Sequence, residues 1–145
     1  MAITETTSSR TPHGAHKADV EMQRRVEWHD TDAAGHHHGT AIIRWVESAE
    51  AELFRSRGLG HLYGRMPRVR HEVDYLSRLF FDQCITVRLF LERLGNTSLA
   101  YRFEVHGPDG PAARGRVVAV HCDAETGSAS PLPDEVRTAL TSTAE

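Results

Sequence analysis

The chain has 145 residues, 39% of them apolar, and its 17 basic and 20 acidic side chains give a formal charge of −3. That size and apolar content fit one globular domain with a real core, and the charge argues against a general nucleic-acid binder, which needs a basic surplus to neutralise phosphates. No run approaches the ~20 apolar residues of a membrane span, the start is polar rather than signal-like, and two cysteines are too few for a disulfide scaffold, so a cytoplasmic protein is expected.

Residues 1–18 are rich in Thr, Ser, Ala and Gly and read as a flexible tail, which takes His13 and His16 out of the search for a site. The body is expected to span residues 19–140, with a frayed end at 141–145. Val20 to Trp28 alternates loosely and reads as a first strand. A polar segment follows, from His29 through Asp30, Asp32 and Gly35 to His36-His37-His38-Gly39. From Thr40 to Arg57 the period changes: Ile42, Trp45, Val46, Ala49 and Leu53 recur at helical spacing, and Gly58 is a plausible stop. The rest alternates as strands do, over Val69–Tyr75, Ile85–Glu92 and Leu99–Val105, with a shorter apolar run at Val117–Cys122. Gly95-Asn96 and Pro108-Asp109-Gly110 supply turns, and a short helix is expected between Pro131 and Leu140. One amphipathic helix and about five antiparallel strands make an α+β chain. Both apolar stripes are buried most simply by wrapping the sheet around the helix, the shape of a hotdog fold.

The run Val26-Glu27-Trp28-His29-Asp30-Thr31-Asp32-Ala33-Ala34-Gly35, followed by Ile43-Arg44-Trp45-Val46-Glu47-Ser48-Ala49-Glu50, resembles the acyl-CoA thioesterases of the 4-hydroxybenzoyl-CoA type. Downstream, Asp74-Tyr75-Leu76-Ser77-Arg78-Leu79-Phe80-Phe81-Asp82 looks like that family's strand and turn, so the resemblance covers about Arg25 to Leu132. Ser77 stands where a proline is usual, and His36-His37-His38-Gly39 replaces a stretch commonly rich in aromatic residues, Asn or His. The resemblance implies that Asp32 is the catalytic carboxylate and that the substrate is an acyl thioester of coenzyme A or of a carrier protein. It also implies a homodimer, perhaps a homotetramer, whose active sites draw on both subunits. An uncovered sheet edge independently points to a dimer.

The chemistry agrees with that assignment. An aspartate is ionised at neutral pH, and it either attacks the thioester directly or deprotonates water. Unpaired amides around Gly39, Thr40 and Ala41, at a helix start, form an oxyanion site, and His38 beside them is a candidate helper. Asp30 reads as structural, accepting loop N–H bonds. Glu47 and Glu50 are rival bases, although a salt bridge from Glu50 to an arginine is the plainer expectation. Consecutive histidines diverge, so no metal or bound cofactor is expected, and His36 and His37 are placed as substrate-lining residues. Arg68 and Arg70 are candidates for coenzyme A phosphates. His71, His106 and His121 read as surface or interface residues, and Cys84 and Cys122 as small core residues. Two other readings stay open: a hotdog 3-hydroxyacyl-thioester dehydratase or hydratase, and a non-catalytic acyl-CoA sensor.

Overall fold

The computed structural model describes residues 19–142. The expected tail at 1–18 and the last three positions of the expected frayed end lie outside the described residues. Strands β1 (Asp19–Arg25), β2 (Arg68–Tyr75), β3 (Cys84–Leu94), β4 (Ser98–Gly107) and β5 (Gly110–Val120) form one antiparallel sheet in the order β1-β3-β4-β5-β2. Helix α1 (Gly39–Ser56) lies between β1 and β2 in sequence, and α2 (Asp134–Thr141) closes the described chain. This is the α+β hotdog arrangement expected from the sequence. No helix among the described residues is long and apolar enough to cross a membrane.

Helix α1 forms because Ile42, Trp45, Val46, Ala49 and Leu53 fall on one stripe, and all five are buried. The facing strands supply the other half of the core in cross-strand rows: Leu89 with Phe103, Leu91 with Tyr101 and Val117, Val87 with Val105 and Ala113. The opposite face of the sheet is charged. Glu21, Arg88, Glu104, Arg114 and Asp74 form a transverse row across all five strands, alternating in sign at every step. Arg88 reaches Glu21 at 2.8 Å, and Arg102 and Arg116 add bridges to Glu104 and Glu92 at 3.1 and 2.7 Å.

Gly115 sits where three strands crowd together. A Cβ there would overlap the Glu72 carbonyl oxygen of β2 and stand 2.7 Å from the Phe103 ring. Neither neighbour is free to retreat, since one is backbone and the other is fully buried. Gly115→Ala is therefore expected to destabilise the fold by about 2 kcal/mol or more through overpacking, read as a lowered urea midpoint.

Several expectations need correction. The first strand stops at Arg25, not Trp28. Glu27 and Asp30 cap each other around a 3-10 turn at Trp28–Asp30, and Val26 instead exchanges backbone bonds with Gln83 and Asp82. The last strand is far longer than Val117–Cys122, because Arg114 and Arg116 point to the charged face. Cys84 is exposed, as it must be when Ile85 points inward, and Cys122 lies past the strand in a bridge to Ala129, half-buried. His121 is buried: the segment after β5 folds back so that Ser130 N–H donates to its carbonyl at 2.8 Å.

Candidate active site

The chain between β1 and α1 folds on itself. A bridge between Thr31 and His37 closes a small loop, within which Asp32 N–H donates to His36 O at 3.2 Å and Gly35 N–H to Asp32 O at 3.0 Å. Gly35 takes φ +85°, a conformation that glycine adopts without steric cost. The Asp32 side chain is exposed, and its Oδ1 accepts the Ala34 N–H at 2.8 Å. That bond fixes one carboxylate oxygen at the tip of the loop leading into Gly39.

Asp30 lies beneath it, buried. Its Oδ2 accepts the Glu27 N–H at 2.8 Å, its Oδ1 lies 3.1 Å from the Arg44 guanidinium of α1, and its carbonyl accepts the His38 N–H at 2.6 Å. Asp30 thus fastens the loop to the helix, the structural part expected of it.

The three histidines take three different partners. His36 Nδ1 lies 3.1 Å from the His37 carbonyl. His37 is buried, exchanging two bonds with Leu79: its N–H donates to the Leu79 carbonyl at 2.7 Å, and its Nδ1 accepts the Leu79 N–H at 3.0 Å. Its ring stacks on Tyr75 at 6.3 Å and tilts against Trp45. It is therefore a packed strut rather than the substrate-lining residue expected. His38 caps α1 with Nδ1 accepting the Thr40 N–H at 3.1 Å and lying 2.7 Å from the Thr40 hydroxyl.

That cap changes the oxyanion assignment. Thr40 N–H is held by His38 Nδ1 and Ala41 N–H by the His38 carbonyl at 2.8 Å. Of the three amides expected to serve, only that of Gly39 is without a partner among the described residues. Tyr75 covers its other side, donating its hydroxyl to Gly39 O at 2.8 Å; a Cβ at Gly39 would meet that hydroxyl at 3.3 Å. Exposed Trp28 and Phe81 pack edge to face at 5.8 Å on the loops flanking Asp32.

Burial holds the His37 imidazole below its ordinary pKa of 6.5. The unfolded chain therefore takes up this proton first, so stability falls as pH drops below about 6.5. Burial lowers His71 in the same way. His37→Asn keeps an acceptor for Leu79 and removes one titrating group. It is expected to flatten the loss between pH 6.5 and 5, measured as urea midpoints across pH.

Arg68 and Arg70 do not join this site. Arg68 forms ion pairs with Glu50 and with Glu47, the latter at 3.5 Å, while Arg70 pairs with Glu72 at 2.5 Å. Glu50 stands eleven residues beyond Gly39, about 16 Å along the helix. Glu50 therefore makes the arginine bridge expected of it, and Arg68 is not placed to meet phosphates at the loop of its own chain. One group among the described residues has metal-like spacing, Glu27, His29 and Asp30, with candidate ligand atoms within 4.8 Å of one another. Arg44 already neutralises Asp30 there.

The sequence pattern of the thioesterase-like superfamily matches residues 26–140. The chain is 31% identical over 121 residues to a protein of Aquifex aeolicus (strain VF5) that carries the provisional name esterase, covering 79% of this chain and 91% of that one. It is 30% identical over 128 residues to 1,4-dihydroxy-2-naphthoyl-CoA hydrolase of Synechococcus sp. (strain CC9605), covering 81% and 86%. Its fold is similar to that of a predicted thioesterase from Bacillus stearothermophilus, with a TM-score of 0.78, 33% identity, and coverage of 85% and 94%.

Proposed function

The chain belongs to the thioesterase-like superfamily, and from that premise we propose that it hydrolyses an acyl thioester, carried on coenzyme A or on a carrier protein, to free acid and thiol. The observation that carries this reading is an exposed carboxylate, Asp32, pinned in the short loop that leads into an 18-residue helix whose first amide, Gly39 N–H, has no partner among the described residues. The thioester carbonyl docks with its oxygen toward Gly39 N–H, where the helix dipole favours developing negative charge. Asp32 acts on the carbonyl carbon by one of two routes. Its carboxylate attacks directly, the C–S bond breaks and water then hydrolyses the anhydride; or it takes a proton from water that attacks instead. In both routes the thiolate leaves and is protonated to the free thiol. Thr40, expected as a second donor, contributes through the cap that holds the first turn, as does His38. The reaction uses no metal and no cofactor beyond the coenzyme A of the substrate.

We place the enzyme in the cytoplasm as a homodimer, assembled further into a tetramer. Thiol release from a panel of aromatic, branched and straight-chain acyl-CoAs tests the reading. Release that depends on Asp32 supports it. Water gain or loss in the acyl chain without thiol release would establish the dehydratase class, and binding without turnover a sensor.

A further inference from the structure

The inner face of β1 carries Val20, Met22 and Arg24 in succession, and the first two pack against the core. Arg24 stands opposite Ile85, which is buried, so the alternation calls for a third apolar side chain there. A guanidinium takes its place, exposed and without a partner among the described residues. Beside it opens a cavity of about 470 Å³. Its other walls are the turn that carries Glu27, His29 and Asp30 and the stretch of α1 from Arg44 to Ser48. None of residues 31–40 lines it, so it is not part of the loop that holds Asp32.

The free groups in these walls are donors. Arg44 gives one arm to Asp30, Nη2 to Oδ1 at 3.1 Å, and the rest of its fork is unengaged among the described residues. Arg25 is held by Asp82 at 3.0 Å, so Arg24 and Arg44 are the cations that bring unengaged donors from two elements. The two carboxylates in the walls are already occupied. Asp30 accepts Glu27 N–H and the Arg44 guanidinium, and Glu27 Oε2 lies 3.4 Å from His29 Nε2. A donor-rich cleft with two planar forks suits the oxygens of a phosphate group, which take paired N–H bonds from arginine. Its volume far exceeds that of a lone ion and falls within the ~300–1,000 Å³ of small-molecule sites.

We propose that this cavity binds a small phosphorylated molecule of nucleotide size, with its phosphate held between Arg24 and Arg44. Arg44 is also the tie between α1 and Asp30, whose carbonyl accepts the His38 N–H at 2.6 Å. A bound phosphate therefore braces the fastening of the loop that holds Asp32 and stiffens residues 27–38.

The test needs no thioester, and so its outcome is separate from that of the proposed hydrolysis. Titration calorimetry of the wild-type chain with ADP is expected to give one site per chain, with adenosine and inorganic phosphate weaker by about tenfold or more. Arg24→Leu continues the stripe of Val20 and Met22, and it is expected to weaken ADP by about tenfold or more. Arg44→Lys keeps a charge beside Asp30 but loses the planar fork, and it is expected to weaken ADP as well. Arg93→Ala removes a cation at the far end of β3 and is expected to leave ADP binding unchanged. Unfolding midpoints confirm that each variant is folded. Independently, amide hydrogen exchange over residues 27–38 is expected to slow when ADP is bound. No binding by the wild type, binding that survives Arg24→Leu, or an equal loss with Arg93→Ala overturns the proposal. So does adenosine or inorganic phosphate binding as tightly as ADP, or exchange over 27–38 that ADP leaves unchanged.

Discussion

Asp32→Asn is expected to lower thioester hydrolysis by about 10²–10⁴-fold, the range associated with losing a positioned acid–base group, and by more if the carboxylate is the nucleophile. The fold should not respond. Asp32 is exposed, and an asparagine amide oxygen still accepts the Ala34 N–H that Oδ1 accepts now. The loop also keeps its other fastenings, from His38 N–H to Asp30 O and from His37 to Leu79. Loss of kcat with an unchanged urea midpoint therefore identifies Asp32 as acting on the thioester. Undiminished thiol release would instead move the chemistry to another carboxylate, of which Glu47 and Glu50 are the rivals on the helix. The geometry speaks against Glu50, because it is buried and held by Arg68, about 16 Å along the helix from the first-turn amide.

Arg68→Ala is expected to produce the largest loss of stability. Glu50 is only 5% exposed, and Arg68 is its sole cationic neighbour among the described residues. Removing one member of a buried pair strands the other, typically at about 3–5 kcal/mol, or on the order of 10–15 °C in Tm for a chain of this size. Replacing both by Glu50→Leu/Arg68→Met should recover most of that loss, since the desolvation of the pair goes with it. The pH dependence gives a second check. Burial already raises the Glu50 carboxyl above its ordinary pKa of 4.5, against the opposing pull of Arg68, and without Arg68 it rises further. The folded Arg68→Ala chain then binds a proton that the unfolded chain has released. Its stability is fullest below about pH 4.5 and falls as pH rises through the folded value. Thermal melts at fixed protein concentration should show this variant gaining ground on the wild type in mild acid. Equal losses at pH 5 and pH 7.5 would mean that Glu50 does not depend on Arg68.

Two kinds of information in the chain differ in how openly they are written. Periodic burial is local, so the α1 stripe from Ile42 to Leu53 and the alternating strands are read directly. The same periodicity, applied one residue further, places Cys84 opposite Ile85 in facing and hence outside. Trp28 reads as strand because it is large and apolar, yet the Glu27 and Asp30 carboxylates around it form a reciprocal cap, and a local cap outweighs strand propensity. The candidate carboxylate and the helix start are also local, since Asp32 and Gly39 are seven residues apart. The neighbours that define their behaviour are not. Leu79 meets His37 across 42 positions, Tyr75 meets Gly39 across 36, and Arg68 meets Glu50 across 18. No spacing rule reports such meetings; only closure of the sheet does. A cap by His38 on Thr40 spans two residues, but nothing in a histidine triplet says which ring turns back toward the helix.

The transverse row of Glu21, Arg88, Glu104, Arg114 and Asp74 has a meaning for how the chain reaches its shape. A hairpin that closes one residue out of step turns its apolar face to water and is rejected on that account. One that slips by two residues keeps the faces right and would pass the same inspection. In β3 and β4 such a slip brings Arg88 against Arg102 or His106 in place of Glu104. On the β3–β4 hairpin, then, the charges add an electrostatic proofreading step that the greasy face cannot perform, steering the collapsing chain away from near-native traps before the core has locked.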